Sequence, residues 1–129
     1  MKLLEKCWDF FRRWNAELDQ WYLVSFDSEF ITQNVRPPGR EPWVQAFRWN
    51  EIEKILFIGR GGFHSDELYF FTTQRPESFV VPTQASGGHE LLQELIARKY
   101  FDSPEFTKIL LSPYGAYWWP EALNEEHKN

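Results

Sequence analysis

Apolar positions recur along this chain with two periods, one helical and one extended, and the points where the period changes predict its elements. From Lys2 to about Gln20, the residues Leu4, Cys7, Phe11, Trp14, Leu18 and Trp21 share one stripe, opposite Lys2, Glu5, Lys6, Asp9, Arg12, Arg13 and Glu17. That spacing predicts an amphipathic helix. Its polar face balances acids and bases, which suits a helix docked on its own sheet better than one lying on a membrane. Trp21 to Phe26 and Phe30 to Val35 then flank the polar Asp27, Ser28 and Glu29 and predict a hairpin. Pro37, Pro38, Gly39 and Pro42 predict a stiff, solvated connection. In Trp43 to Trp49, the residues Trp43, Gln45, Phe47 and Trp49 alternate with Val44, Ala46 and Arg48, the pattern of a strand with an aromatic face.

The chain is organised around Trp49 to Arg98. Lys54 to Ile58 and Leu68 to Thr73 are apolar on both alternating faces and predict central strands covered on both sides. Gly59 to Asp66 (GRGGFHSD) predicts the long loop of their hairpin. A turn at Gln74 to Glu77, built on Pro76, leads into a short strand from Ser78 to Val81, closed by Pro82. Ser86, Gly87 and Gly88 open a helix running to Arg98, with Leu91, Leu92, Leu95 and Ile96 on its apolar face. Ser103 as cap, Pro104 in the first turn and Glu105 beside it start a second, short helix that Pro113 stops. Tyr114 to Trp119 predicts a brief terminal strand, and 121–129 a polar, frayed tail. The sum is a single α+β domain over 1–129: one antiparallel sheet of about five to six strands, the N-terminal helix, the helix near 88–98 and a short C-terminal helix.

Composition narrows the function. The net charge of −5 is uneven: residues 1–60 carry nine basic and nine acidic side chains, and 61–129 carry five and ten. Without clustered Lys and Arg, nucleic acid is excluded as a partner, and a basic protein surface is the better match. No apolar run is long enough for a membrane span. The single cysteine, Cys7, rules out an internal disulfide. With no secretory pattern ahead of it, this points to a reducing cytoplasm. Seven tryptophans and twelve phenylalanines supply either a bulky core or a sticky face.

Candidate chemistry is sparse. The glycines of Gly59 to Gly62 lack the lysine and hydroxyl of a phosphate loop, so we read them as a hairpin loop. Backbone N–H groups and His89 at the start of the second helix, with Arg60 folding back, form a candidate site for a small apolar or anionic ligand. His64 and Asp66 supply two metal ligands where a site needs at least a third, so no metal and no cofactor is expected. Cys7 has no neighbouring histidine and no serine sits in a nucleophile elbow, so no catalytic residue is assigned. An enzyme using the turn carboxylates Asp27, Glu29, Asp66 and Glu67 is a further alternative. Trp118 and Trp119, which extended backbone sends to opposite faces, and the nearby acids Glu121, Glu125 and Glu126 form a candidate partner-binding edge.

From Trp49 to Trp119 the pattern resembles a group of small bacterial α+β proteins. The residues that carry it are Trp49 with Ile52, Gly61 with Phe63 and Asp66, Val81 with Pro82, Ala85 with Gly87, Leu91 with Leu92, Phe101 with Asp102, and Trp118 or Trp119. A meander followed by a helix is also similar to immunity-type and pleckstrin-homology-like scaffolds. The resemblance implies binding and not turnover, and brings no catalytic residues. The expected function is a non-enzymatic, cytoplasmic interaction module, immunity-like, that blocks a basic partner.

Overall fold

The computed structural model describes residues 18–60, 66–112 and 114–126. A helical turn, α1 (Leu18–Trp21), leads into the meander β1 (Tyr22–Phe26), β2 (Phe30–Val35) and β3 (Trp43–Arg48). Asp27 makes the first hairpin: its Oδ1 accepts the N–H groups of Glu29 (2.8 Å) and Phe30 (2.7 Å). Those two backbone donors hold its carboxyl below the ordinary aspartate range. After a 3-10 turn at Trp49–Glu51 come β4 (Ile52–Gly59), β5 (Glu67–Thr72) and β6 (Arg75–Pro82). The helices α2 (Gly88–Ala97) and α3 (Pro104–Leu111), strand β7 (Gly115–Trp119) and the short α4 (Leu123–Glu126) complete the described chain.

The architecture is α+β and antiparallel, but among the described residues seven strands form two sheets where a single sheet of five to six was expected. The sheets are ordered β1-β2-β3 and β6-β5-β4-β7. The division falls at the 3-10 turn. The Glu51 carboxylate takes the Arg48 N–H (2.7 Å) and its carbonyl takes the Thr73 N–H (2.9 Å), turning the chain out of the first sheet. β4 then pairs with β5 on one side and β7 on the other, so β4 and β5 are central, as the apolar runs predict.

Several boundaries shift. β6 is eight residues long and begins at Arg75, so Pro76 lies inside an edge strand and the turn is only Thr73 and Gln74. The central strands are fully covered on one face and only partly on the other. Ile55, Phe57, Leu68 and Phe70 are fully buried, while Leu56, Ile58, Tyr69 and Phe71 are half-exposed. On α2, Leu91, Leu92 and Leu95 are buried but Ile96 is 37% exposed. A helical turn at Leu123–Glu126 stands where a polar tail was expected. The predicted N-terminal helix lies outside the described residues as far as residue 17. Its last residues, Leu18 and Trp21, pack with Tyr22, Val35 and Ala85 of the same chain.

The core lies between the sheets and under α2 and α3. Phe47 of the first sheet stacks on Phe79 (4.5 Å) and tilts against Phe70 (5.0 Å) of the second. Phe106 of α3 meets Phe57 edge-on and stacks on Phe101 at 4.6 Å. A polar network also joins the sheets. The fully buried Gln33 donates from Nε2 to Tyr22 Oη (2.6 Å) and to the Val80 carbonyl (2.8 Å). Its Oε1 accepts from Gln45 Nε2 at 2.9 Å. Tyr22 Oη donates to the same Val80 carbonyl, and Arg75 donates to Gln45 Oε1.

Candidate functional site

β7 is an edge strand, and its free side opens into a groove of about 430 Å³. Ala116, Tyr117 and Trp118 form the floor, Glu105, Lys108 and Ile109 of α3 one wall, and Glu121, Asn124 and Glu125 the other. Local chemistry positions each part. Ser103 Oγ accepts the Phe106 N–H (3.2 Å) and starts α3, while its hydroxyl lies 2.7 Å from Tyr117 Oη, tying the helix to the strand. Asn124 pairs with Trp118 as a neighbouring strand would: Oδ1 accepts the Trp118 N–H (2.8 Å) and Nδ2 donates to its carbonyl (2.9 Å). Ser112 donates to the Tyr114 carbonyl at 2.8 Å. These side chains cap the edge on both sides of Ala116, so a partner meets the groove mainly through side chains and not by adding a strand.

The groove is acidic. Among the described residues that line it, three are carboxylates, Glu105, Glu121 and Glu125, and one is an ammonium, Lys108. Lys108 sits 4.0 Å from Glu105, a loose and exposed pair that neutralises only part of that wall. The field reaches Tyr117, whose phenol is pushed above its ordinary value chiefly by burial. The Ser103 hydrogen bond opposes that shift, and the charges of Glu121, Asp102 and Glu105 add to it.

Three of the five residues assigned to the partner-binding edge, Trp118, Glu121 and Glu125, line this groove. Trp119 does not. Backbone register sends the two tryptophans to opposite faces as expected, Trp118 opposite Leu56 and Trp119 opposite Ile55. Their burial is nonetheless alike, both being half-exposed. Trp118 packs on Phe71 (5.8 Å) beneath the Lys54 ammonium, and Trp119 meets Tyr100 edge-on at 4.6 Å. Tyr117 between them takes the buried position.

No protein-family model matches this chain, and no curated protein or solved structure is significantly similar to it. The remaining candidates therefore stand on geometry.

Arg60 forms an ion pair with Glu67 at 2.7 Å, and its backbone N–H is held by Asp66 Oδ1 at 3.0 Å. His89 is exposed on the first turn of α2, and among the described residues no hydrogen bond or ion pair joins it to Arg60. The start of α2 is filled by the protein itself. Gly87 (φ +86°) lies so close to β1 that an added Cβ would sit 2.0 Å from the Val24 carbonyl oxygen. The Ser86 N–H and C=O are both bonded to β1, to Tyr22 and Val24. These glycines serve close packing of helix on strand. The turn carboxylates have local tasks: Asp27 closes its hairpin, Glu29 pairs with Arg48, Asp66 holds the Arg60 N–H, and Glu67 accepts from Arg60 and Tyr69.

Cys7, His64 and most of the glycine loop lie outside the described residues. Among the described residues, no three His, Cys, Asp or Glu side chains come together to hold a metal, and no helix is long and apolar enough to cross a membrane. Glu105, Lys108, Ile109, Ala116, Tyr117 and Asn124 are the groove residues that sequence reasoning did not assign to this edge. Lys108 is exposed and Asn124 partly buried on their helices, neither with a local signal, and only the pairing of β7 with β4 brings those helices together.

Proposed function

We propose that this protein is a non-enzymatic, cytoplasmic interaction module, immunity-like in action, whose β7 groove receives a basic segment of a protein partner. The observation that carries this reading is the meeting of Trp118 with carboxylates from two separate helices in one groove. An indole offers apolar area for an aliphatic lysine or arginine stem, and the acids match the charge at its tip. The excess of acidic over basic residues in the C-terminal half extends the same field beyond the groove and favours encounter with a basic surface.

Fluorescence anisotropy with a labelled lysine- and arginine-rich peptide tests the proposal. Binding is expected to weaken as salt rises and to fall at least about tenfold in Glu121→Lys/Glu125→Lys, both exposed positions that leave the fold intact. Trp118→Ala is expected to weaken binding further at fixed salt. Equal affinity in the charge-reversed variant would refute the assignment of this groove.

A further inference from the structure

The outer face of the second sheet is apolar across its whole width. Backbone register sets Val80, Tyr69, Leu56 and Trp118 side by side in one row over β6, β5, β4 and β7, with Ile58 on one side of the row and Phe71 on the other. Lys54 closes the Phe71 side, its ammonium 5.0 Å and 5.6 Å from the ring centres of Phe71 and Trp118. The apolar residues of this face are half-exposed, and among the described residues none belongs to the core cluster or packs on it. A contiguous patch of this kind marks an interaction surface, where single exposed apolar residues would not.

The first sheet overhangs the β6 end of that row. Along β2, Ile31, Gln33 and Val35 point the same way. Ile31 lies opposite Phe47, which stacks on the core-facing Phe79, and Gln33 reaches the Val80 carbonyl at the free edge of β6. Val35, one step further, and Tyr22 opposite it therefore stand past that edge, on the outer side. Electrostatics agree: burial pushes the Tyr22 phenol up, the Gln33 hydrogen bond opposes this, and the charge of Glu67 adds to it. Glu67 belongs to the outer face, where it accepts from Tyr69 Oη at 3.0 Å. Leu18 and Trp21 of α1 are buried in this corner against Tyr22, Val35 and Ala85. The chain ahead of Leu18 thus joins the described structure at one end of the apolar row.

From this we infer that residues 2–17 continue α1 as an amphipathic helix and dock its apolar stripe along the row from β6 towards β7. The phase is set by the described residues. Leu18 and Trp21 are the last members of the stripe and are already buried. Phe11 and Cys7 precede Leu18 by about two and three turns and so face the same way. The length also fits: a helix over 2–17 runs about 24 Å, and the outer strands of a four-stranded sheet lie about 14 Å apart. Strands that are apolar on both faces are those covered on both sides, and this helix supplies the second cover. A separate chain would have to enter over a corner that α1 already fills. The docked helix concerns the sheet and not the capture of a basic segment, so either reading stands if the other fails.

Cys7, the single cysteine, reports the docking in the full chain through its rate of reaction with Ellman's reagent. In the folded protein the thiol is expected to react at least about tenfold more slowly than in urea, at a rate independent of protein concentration. Phe11→Gln on the stripe and Leu56→Gln on the sheet are each expected to raise the folded rate at least about tenfold, both being neutral changes that leave the thiol's own acidity alone. Val44→Gln, at an exposed position on the first sheet, is expected to leave the rate unchanged. Hydrogen exchange at the Ile55 and Phe57 amides, expected to stay slow in each variant, separates undocking from unfolding. The inference is overturned if Cys7 reacts as fast folded as unfolded, or if either stripe or sheet variant leaves its rate unchanged. It is equally overturned if protection grows with protein concentration, which would assign the face to a second copy, or if the core amides lose their protection together with Cys7.

Discussion

The Val80 carbonyl receives two donors from the first sheet, and this makes a specific prediction about additivity. Tyr22 Oη and Gln33 Nε2 both reach it, and Gln33 also donates to Tyr22 Oη and accepts from Gln45. Gln33→Leu keeps the volume but removes three hydrogen bonds. At about 1 kcal/mol net each the loss is roughly 3 kcal/mol, reduced to about 1–2 because apolar burial is gained and no partner is fully orphaned. Tyr22 still satisfies the carbonyl, and Gln45 is only partly buried and turns to water. Tyr22→Phe alone costs about 1 kcal/mol for the same reason, since Gln33 still satisfies the carbonyl. The double variant leaves the carbonyl with neither donor and is expected to lose about 1–3 kcal/mol beyond the sum. Urea unfolding of the four proteins at neutral pH measures the cycle. Additive losses would mean that water or the sheet itself satisfies Val80, and that the network does not hold the two sheets together. A single-variant loss near zero for Gln33→Leu would further show that burying this amide contributes no net stability.

Leu95 is fully buried on the inner face of α2, and Leu95→Ala is expected to cost about 2–5 kcal/mol by the same assay, a loss below about 1 kcal/mol refuting its placement. Gly87→Ala combines a positive φ with a Cβ 2.0 Å from the Val24 carbonyl oxygen, so a cost of about 3–5 kcal/mol is expected, and a neutral result would mean that α2 does not lie against β1. The phenols of Tyr22, Tyr69, Tyr100 and Tyr117 are all pushed above their ordinary value of 10.0, chiefly by burial. Above that pH the unfolded chain has released protons that the folded chain retains, so stability is expected to fall from about pH 10 upward. Urea midpoints from about pH 9 to pH 11 check this, and a flat profile refutes it; Tyr22→Phe is expected to flatten the slope.

Local pattern alone determined a good deal about this protein. The hairpin at Asp27, the central strands β4 and β5, the helix α2 with Leu91, Leu92 and Leu95 inward, and the Ser103 cap of α3 are all legible as written. Each is governed by neighbours within a few residues: a side chain capping its own backbone, or a period that matches one face. Trp118 and Glu121 were legible as a pair because an extended segment followed by acids is itself a local feature. What tertiary structure alone decided was which strands share a sheet and which faces stay open. Residues far apart in the chain set both: Glu51 locks to Thr73, β7 returns to β4, and Tyr22 and Gln33 reach Val80. The half-exposed outer face of β4 and β5 reads as apolar in sequence, because Leu56, Ile58 and Phe71 do not reveal how much structure lies over them. The groove follows the same logic. Lys108 and Asn124 become neighbours only when the pairing of strands places their elements side by side, and no residue type or spacing carries that information.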